Sequence, residues 1–168
     1  EARRYGPPFL GEEDEGGTAF FLAANRNKRS VAVDFSKPEG SRIVQQLVAK
    51  SDVVIENFRV GTLARHGLDY ASLSAQNPGL VYCSLTGFGQ SGPYAKRPGY
   101  DAIFQSMGGL MSSIGYPDEH PAGGPLRTGL SITDVITSLY ADVAIVAALH
   151  ARAPNGGQGD YIDLVLLG

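Results

Sequence analysis

The chain has 168 residues, of which 43% are hydrophobic, and a formal net charge of −3. This length and composition suit one domain with a buried core, and the charge gives no basic field for nucleic acid or an anionic membrane. The single cysteine, Cys83, leaves no disulfide framework within the chain and indicates a reducing compartment. We therefore expect a cytoplasmic protein, or a mitochondrial one if the source is eukaryotic. The histidines show no metal-ligand spacing, so no metal is expected.

Residues 1–18 are polar, acidic and glycine-rich, which predicts a loop, and residues 19–168 are interpreted as one partial α/β domain. Apolar runs predict strands near 30–35, 52–55, 80–85 and 160–166, and helices alternate with them. Strands that are apolar throughout indicate an open parallel sheet with helices on both faces. The predicted helices are 36–51, with Ser36 as N-cap and Pro38 in its first turn, two short helices within 61–78, 101–113, and Thr133 to Arg152.

Two stretches bear on membranes and on chain length. The longest apolar stretch, 129–150, is interrupted by Asp134 and Asp142, which favours a core helix over a membrane span. The chain lacks an initiator Met and stops after the apolar strand "YIDLVLLG", which needs neighbours on both faces. The sequence therefore suggests a piece of a longer protein.

The segment "GFGQSG", Gly87–Gly92, matches the pattern G-x-G-x-x-G of dinucleotide-binding loops. That pattern binds a pyrophosphate only where a helix opens inside it, and here Pro93 and Pro98 keep the chain irregular until about Tyr100. A nicotinamide or flavin site is therefore disfavoured. The loop is either a surface turn or a place where backbone approaches another ligand closely.

Ligands bind beyond the carboxyl ends of parallel strands, which directs attention to "ENFRVG" and "TGFGQSGPY". The cations of "ANRNKRS" (24–30) are either a solvated edge or a phosphate clamp, and Arg65 lies one helix beyond the second apolar strand. Asp134 opens an apolar helix. It either complements the helix dipole or acts as a nucleophile in a poorly hydrated pocket.

The segments "NRNKRSVAVDFSKPEG", "SDVVIENFRVGTLARHGLDY", "LTGFGQSGPYAKRPGYD" and "SITDVITSLYADVAIVAALHAR" together resemble the class III coenzyme A (CoA) transferases, also called the CaiB/BaiF type. The resemblance extends from about Phe20 onward. It implies a Rossmann-like large domain, an interlocked homodimer, and an acyl-CoA donor and a carboxylic acid acceptor as partners, with no redox cofactor. It also implies that the first βαβ unit, the small domain and the C-terminal return segment are absent here.

Carried over position by position, the resemblance implies that Asp134 is the catalytic nucleophile. It further implies three sets of CoA contacts, before the first predicted strand, after the second and after the third: Asn25, Arg26, Asn27 and Lys28; Asn57, Phe58 and Arg65; Thr86, Gly87, Phe88 and Gly89. At Thr86 some relatives carry a lysine, so a charge contact is not carried over there.

The implied reaction moves CoA through mixed anhydrides and an aspartyl-CoA thioester on Asp134. A racemase branch of the same family acts on 2-methylacyl-CoA and uses a histidine in a "GHD" motif. This chain reads "GYD", and Tyr100, whose ordinary pKa is about 10, is a poor proton shuttle at neutral pH. The racemase is therefore the alternative reading, beside a noncatalytic CoA-binding domain and a purely structural one.

Overall fold

A computed structural model describes residues 6, 8–11 and 17–167 of the chain. The chain divides into two compact units, Glu1–Val33 and Asp34–Gly168.

The first unit contains the helix α1, Ala19–Asn25. Thr18 caps it, because its Oγ1 accepts a hydrogen bond from the Phe21 N–H at 3.1 Å. The helix was not predicted, although Thr18 followed by "AFFLAAN" carries a readable cap and an apolar run. Most of the loop predicted over 1–18 lies outside the described residues.

The second unit is built on a parallel three-stranded sheet in the order β1-β2-β3. The strands are β1 (Val53–Glu56), β2 (Val81–Thr86) and β3 (Tyr161–Val165). Val53 is paired with Val81, and Cys83 with Ile162. Three of the four predicted strands and their parallel arrangement are therefore confirmed.

The strand predicted near 30–35 is wrong. Residues 30–34 form no regular secondary structure and Phe35 begins a turn. A strand exists only through a hydrogen-bonded ladder, and among the described residues the three strands pair only with one another. The β-branched run therefore lacks a partner, and Val31 is 65% exposed.

The helices of the second unit lie close to their predicted places. They are α2 (Pro38–Val48), a 3₁₀ helix (Leu63–His66), α3 (Tyr70–Ser74), α4 (Asp101–Met107), α5 (Leu110–Ser113) and α6 (Ile132–Arg152). The N-cap predicted for α2 is wrong, because Lys37 occupies that position. Ser36 instead hydrogen-bonds to the Asp34 carboxylate through its N–H and its hydroxyl.

Two apolar clusters cover the two faces of the sheet, because successive side chains of β2 point to opposite sides. Tyr82 packs with residues of α2 and α3, such as Val48 and Leu73. Val81 and Cys83 pack against α6. The predicted α/β architecture, an open parallel sheet with helices on both faces, is confirmed.

Helix α6 is buried along one stripe only, through Thr137, Ala141 and Ile145. Large apolar side chains on the rest of its surface are exposed: Val135, Ile136, Leu139, Tyr140, Val143 and Val146. Among the described helices it alone is long and apolar enough to cross a membrane by length and composition, which is weak evidence for a span. The expectation of a core helix holds for the stripe against the sheet.

Candidate functional site

A cavity of about 240 Å³ lies at the carboxyl ends of β1 and β2. Its walls include four of the residues predicted to contact CoA, two after β1 and two after β2: Asn57, Phe58, Thr86 and Gly87. The segment 95–100, which leads into α4, completes the lining together with Arg59 and Val60. The fold thus brings together members of two of the three predicted sets of CoA contacts.

The residues after β1 are held by hydrogen bonds. The Asn57 side-chain amide donates to the Leu85 carbonyl at 2.6 Å, which ties the end of β1 to β2. The Phe58 N–H donates to a Glu56 carboxylate oxygen at 2.7 Å. The Phe58 ring meets Phe35 edge-on, with centroids 5.5 Å apart, and remains exposed. This ring is an exposed apolar part of the cavity lining.

The loop after β2 is shaped by its own residues. Thr86 is buried, and its hydroxyl accepts a hydrogen bond from the Gly89 N–H at 3.0 Å. Gly89 has φ +85°, which favours glycine. The Phe88 ring packs on Tyr94 and Phe104 at centroid distances of 5.6 and 5.4 Å. Phe88 and Gly89 therefore support the loop and do not line this cavity.

Three cations line the cavity that the sequence reasoning did not single out: Arg59, Lys96 and Arg97. The guanidinium of Arg97 lies 4.3 Å from the centre of the Tyr94 ring, a distance at which a cation–π contact is favourable. Lys96 and Arg97 could have been noticed in the sequence as the basic pair "KR" before Pro98, in the loop between β2 and α4. The positive charge of the three lining cations allows the cavity to hold an anionic group.

The remaining predicted contacts lie elsewhere. Arg65 is exposed on the 3₁₀ helix and does not line this cavity. The set Asn25–Lys28 belongs to the first unit. There the Lys28 ammonium donates to the Ala24 carbonyl at 2.6 Å and the Asn25 amide to the Phe21 carbonyl at 2.9 Å. Asn27 has a left-handed φ of +61°, and Arg26 caps the end of α1.

A larger cavity of about 400 Å³ shares Arg59 and Val60 with the smaller one, and its lining includes the polar residues Glu56, Ser84, Gln90 and Tyr161. The Ser84 hydroxyl donates to Glu56 and accepts from the Gln90 amide. This cavity contains none of the predicted CoA contacts. We assign the site to the smaller cavity because its lining combines cations, an exposed ring and loop backbone at the strand ends.

Asp134 lies in the first turn of α6. Its side chain reaches solvent, yet the surrounding protein removes part of its hydration, and this burial raises the pKa of the carboxyl above its ordinary value. The negative charge of Asp101 raises this pKa further. Tyr100 lines the cavity, and Asp101 is the next residue along the chain. The Asp101 carboxylate accepts a hydrogen bond from the Asp134 N–H at 3.3 Å. The cavity wall and the candidate nucleophile are thus connected through one residue.

The thiol of Cys83 lacks the features of a reactive group. Cys83 is fully buried in β2, and burial together with the Glu56 charge raises the pKa of its thiol to about 11. Cys83 therefore packs as a small apolar residue of the core. In the described part of the chain, no three histidine, cysteine or carboxylate side chains converge as they do around a metal ion.

The fold and the cavity define an α/β protein with a cation-lined cavity at the carboxyl ends of two parallel strands. The sequence matches the model of CoA-transferase family III over residues 1–168, and the chain belongs to this family. The resemblance found from the four segments is thereby confirmed.

Known relatives agree with this assignment. The chain is 47% identical to succinate–glutarate CoA-transferase of Agrobacterium fabrum and 44% identical to succinyl-CoA:glutarate CoA-transferase of Mus musculus, over 99% of its own length in both cases. It covers 41% and 36% of those proteins. The crystal structure of a CaiB/BaiF family protein from Brucella suis is 49% identical, with a TM-score of 0.88 over 99% of this chain and 43% of that one.

Proposed function

We propose that this chain is the CoA-binding and nucleophile-bearing part of an enzyme that transfers CoA from an acyl-CoA to a carboxylic acid. One observation carries the proposal. The cavity lined by Asn57, Phe58, Thr86 and Gly87 reaches Tyr100, whose neighbour Asp101 holds the backbone of Asp134. Family membership supports the class of ligand, and the link from Tyr100 through Asp101 to the Asp134 backbone supports Asp134 as the carboxylate that reacts with it.

In this proposal CoA binds as a substrate with its phosphates near the cations of the cavity. Arg59, Lys96 and Arg97 offer charge-assisted hydrogen bonds, and the exposed Phe58 ring offers a stacking surface. The set Asn25–Lys28 and Arg65 remain proposed contacts on the strength of the family resemblance. The thioester end is directed toward Tyr100 and the start of α6.

The chemistry follows from a carboxylate nucleophile. Asp134 attacks the donor thioester carbonyl, which forms a mixed anhydride and releases CoA as a thiolate. The thiolate attacks the aspartyl carbonyl, which forms an aspartyl-CoA thioester and releases the donor acid. The acceptor carboxylate then displaces the thiolate to form a second anhydride. The thiolate finally attacks the acceptor carbonyl and frees Asp134. No proton or electron is consumed, but water must be kept out.

We further propose that the acids are short dicarboxylates, because two relatives of high identity are named for succinate and glutarate. The test is a matrix of acyl-CoA donors against carboxylic acids with the full-length protein. Succinyl-CoA with glutarate should give glutaryl-CoA faster than any monocarboxylate gives its thioester. A racemase would instead exchange the α-proton of 2-methylacyl-CoA with solvent and give no transfer. CoA binding without either reaction would indicate a noncatalytic domain, and an absence of CoA binding a structural one.

The homodimer implied by the family resemblance is part of this proposal. The exposed apolar side chains of α6 support burial of that helix against further protein, because a large contiguous apolar surface is uncommon on a monomer.

A further inference from the structure

The carboxylate of Asp101 occupies the position of a helix cap for α6 although it belongs to α4. Asp101 is 5% exposed. Its Oδ1 accepts hydrogen bonds from the Thr133 N–H at 2.9 Å and the Asp134 N–H at 3.3 Å, and also from the Thr133 hydroxyl. These N–H groups belong to the second and third residues of α6, the donors that an N-cap side chain normally satisfies. Ser131, the N-cap of α6 in sequence, makes no such hydrogen bond.

Gln105, one turn along α4, fixes the other oxygen of the same carboxylate. Gln105 is fully buried, and its amide nitrogen donates to Asp101 Oδ2 at 2.5 Å and to the Leu130 carbonyl at 3.1 Å. Its amide oxygen accepts from the Thr128 N–H at 3.1 Å. Because a backbone N–H can only donate, Thr128 fixes the orientation of the Gln105 amide. Asp101 therefore faces four donors and serves as a charged acceptor.

The electrostatics agree with this geometry. Burial alone would raise the pKa of Asp101, but the hydrogen bonds from Thr133, Gln105 and the Asp134 backbone outweigh it and lower that pKa. The resulting negative charge lies beside the first turn of α6, where it disfavours ionisation of Asp134. A carboxylate with a raised pKa is a more basic, and therefore a stronger, nucleophile as long as it stays ionised.

We propose that Asp101 is a positioning residue for the reaction: it fixes the backbone of Asp134 at the start of α6 and sets the electrostatic environment of that nucleophile, while Gln105 fixes Asp101. This inference rests on the proposed function, because it gives Asp134 the role of nucleophile. It assigns to Asp101 no contact with CoA or the reacting acid. A purely structural cap would stabilise the helix and leave the reactivity of Asp134 unchanged.

The test compares Asp101→Asn with the wild type in the full-length protein. Asn keeps the shape but loses the charge, and its amide nitrogen must face either the Thr133 or the Gln105 donor. We expect kcat to fall by about ten- to one-hundredfold, the scale on which a misplaced catalytic group loses rate. The KM for acyl-CoA should change by less than about threefold, because transition-state interactions alone are affected. Asp34→Asn, which also removes a carboxylate that hydrogen-bonds near a helix start, is the control and should retain wild-type kcat.

The pH profile separates positioning from structure. Asp134 must be ionised to attack, so activity falls as the pH drops through its raised pKa. Removing the charge of Asp101 should lower that pKa and move the acidic limb of kcat/KM to lower pH. A structural role would leave the limb in place. The inference would be overturned if Asp101→Asn had the wild-type kcat. It would also be overturned if the acidic limb of kcat/KM did not move and the loss of activity only matched the fraction of unfolded protein.

A second variant keeps the test decisive if Asp101→Asn does not fold. Thr133→Val removes only the hydroxyl that donates to Asp101 and is close to isosteric. It should lower kcat by about three- to tenfold with an unchanged KM, less than the full loss of a charge-assisted hydrogen bond, because the Thr133 N–H and the Gln105 amide still hold Asp101. Unchanged kcat in a folded Thr133→Val would then overturn the inference.

Hydroxylamine trapping of the wild type distinguishes failure of the proposed function from failure of the inference about Asp101. If Asp134 is never acylated, the proposed function and the inference both fall. If it is acylated and the variants match the wild type, only the inference falls.

Discussion

At the scale of single residues, the loop glycines have a reason other than ligand approach. Phe104 is 2% exposed and its ring fills the space above Gly87 and Gly99. A Cβ built on Gly87 would lie 2.7 Å from the Phe104 ring, and one built on Gly99 would lie closer still. The chain after β2 and the start of α4 therefore pack around one aromatic side chain, which positions the wall of the cavity.

Gly87→Ala should consequently destabilise the full-length protein. The added methyl group must displace a buried ring, and overpacking of this kind costs about 1–3 kcal/mol. Urea unfolding would measure the loss. Gly129→Ala is the matched control, because no atom lies within 4 Å of the Cβ position there. Equal stability of the two variants would show that Phe104 yields without strain.

The cations of the cavity make a second prediction at this scale. Arg59→Ala and Lys96→Ala should each weaken CoA binding by about 1–3 kcal/mol, the range of a charge-assisted hydrogen bond. Calorimetric titration of CoA into the full-length protein measures this directly. Lys50→Ala removes an exposed cation that does not line the cavity and should leave the affinity unchanged. If all three variants bind equally, the phosphates lie elsewhere.

At the scale of elements, the sequence predicted what depends on local pattern. The apolar runs that became β1, β2 and β3 are readable because each strand contributes side chains to both apolar clusters. The run 30–35 has the same composition but has no ladder partner among the described residues, and composition does not show whether a partner exists. Helix α1 was missed although Thr18 marks its start.

The candidate site was likewise predictable where it depends on local sequence pattern, and not where it depends on contacts between distant residues. The segments that follow strands, which contain Asn57 and Gly87, were found because the ends of parallel strands meet at one edge, and the CoA contacts of these two residues were implied by the family resemblance. The role of Asp101 was not found, since it depends on a contact with Thr133, 32 positions further along the chain. An aspartate at the start of one helix gives no sign that it caps another.

The contact between α4 and α6 makes a prediction about stability and pH. The folded pKa of Asp101 is lowered, so its ionised form stabilises the folded state above the ordinary pKa of about 4. That contribution is lost as the pH falls through the lower, folded pKa. The difference in unfolding free energy between wild type and Asp101→Asn should thus be largest near neutral pH and shrink below about pH 4. Urea titrations across this range would show it, and a difference independent of pH would contradict it.

At the scale of the whole molecule, the exposed apolar surface of α6 predicts self-association of the isolated 168-residue chain. Sedimentation velocity should show oligomers, and Leu139→Lys with Val143→Lys should reduce them while far-ultraviolet circular dichroism stays the same. Leu47→Lys changes an exposed leucine on α2 and should leave the oligomers intact. A monomer that is fully active on its own would contradict both this prediction and the proposed dimer.

The central claim is that Asp134 carries the acyl group and then CoA. The direct measurement is to incubate the full-length protein with succinyl-CoA, add hydroxylamine, and locate the modified residue by peptide mass. The account predicts a hydroxamate at Asp134, and in Asp134→Asn no label and almost no transfer. That variant should still fold and bind CoA, because a first-turn aspartate contributes only about 0.3–1 kcal/mol to its helix. An Asn variant that transfers CoA at the wild-type rate, or a wild type labelled at another residue, would contradict the account.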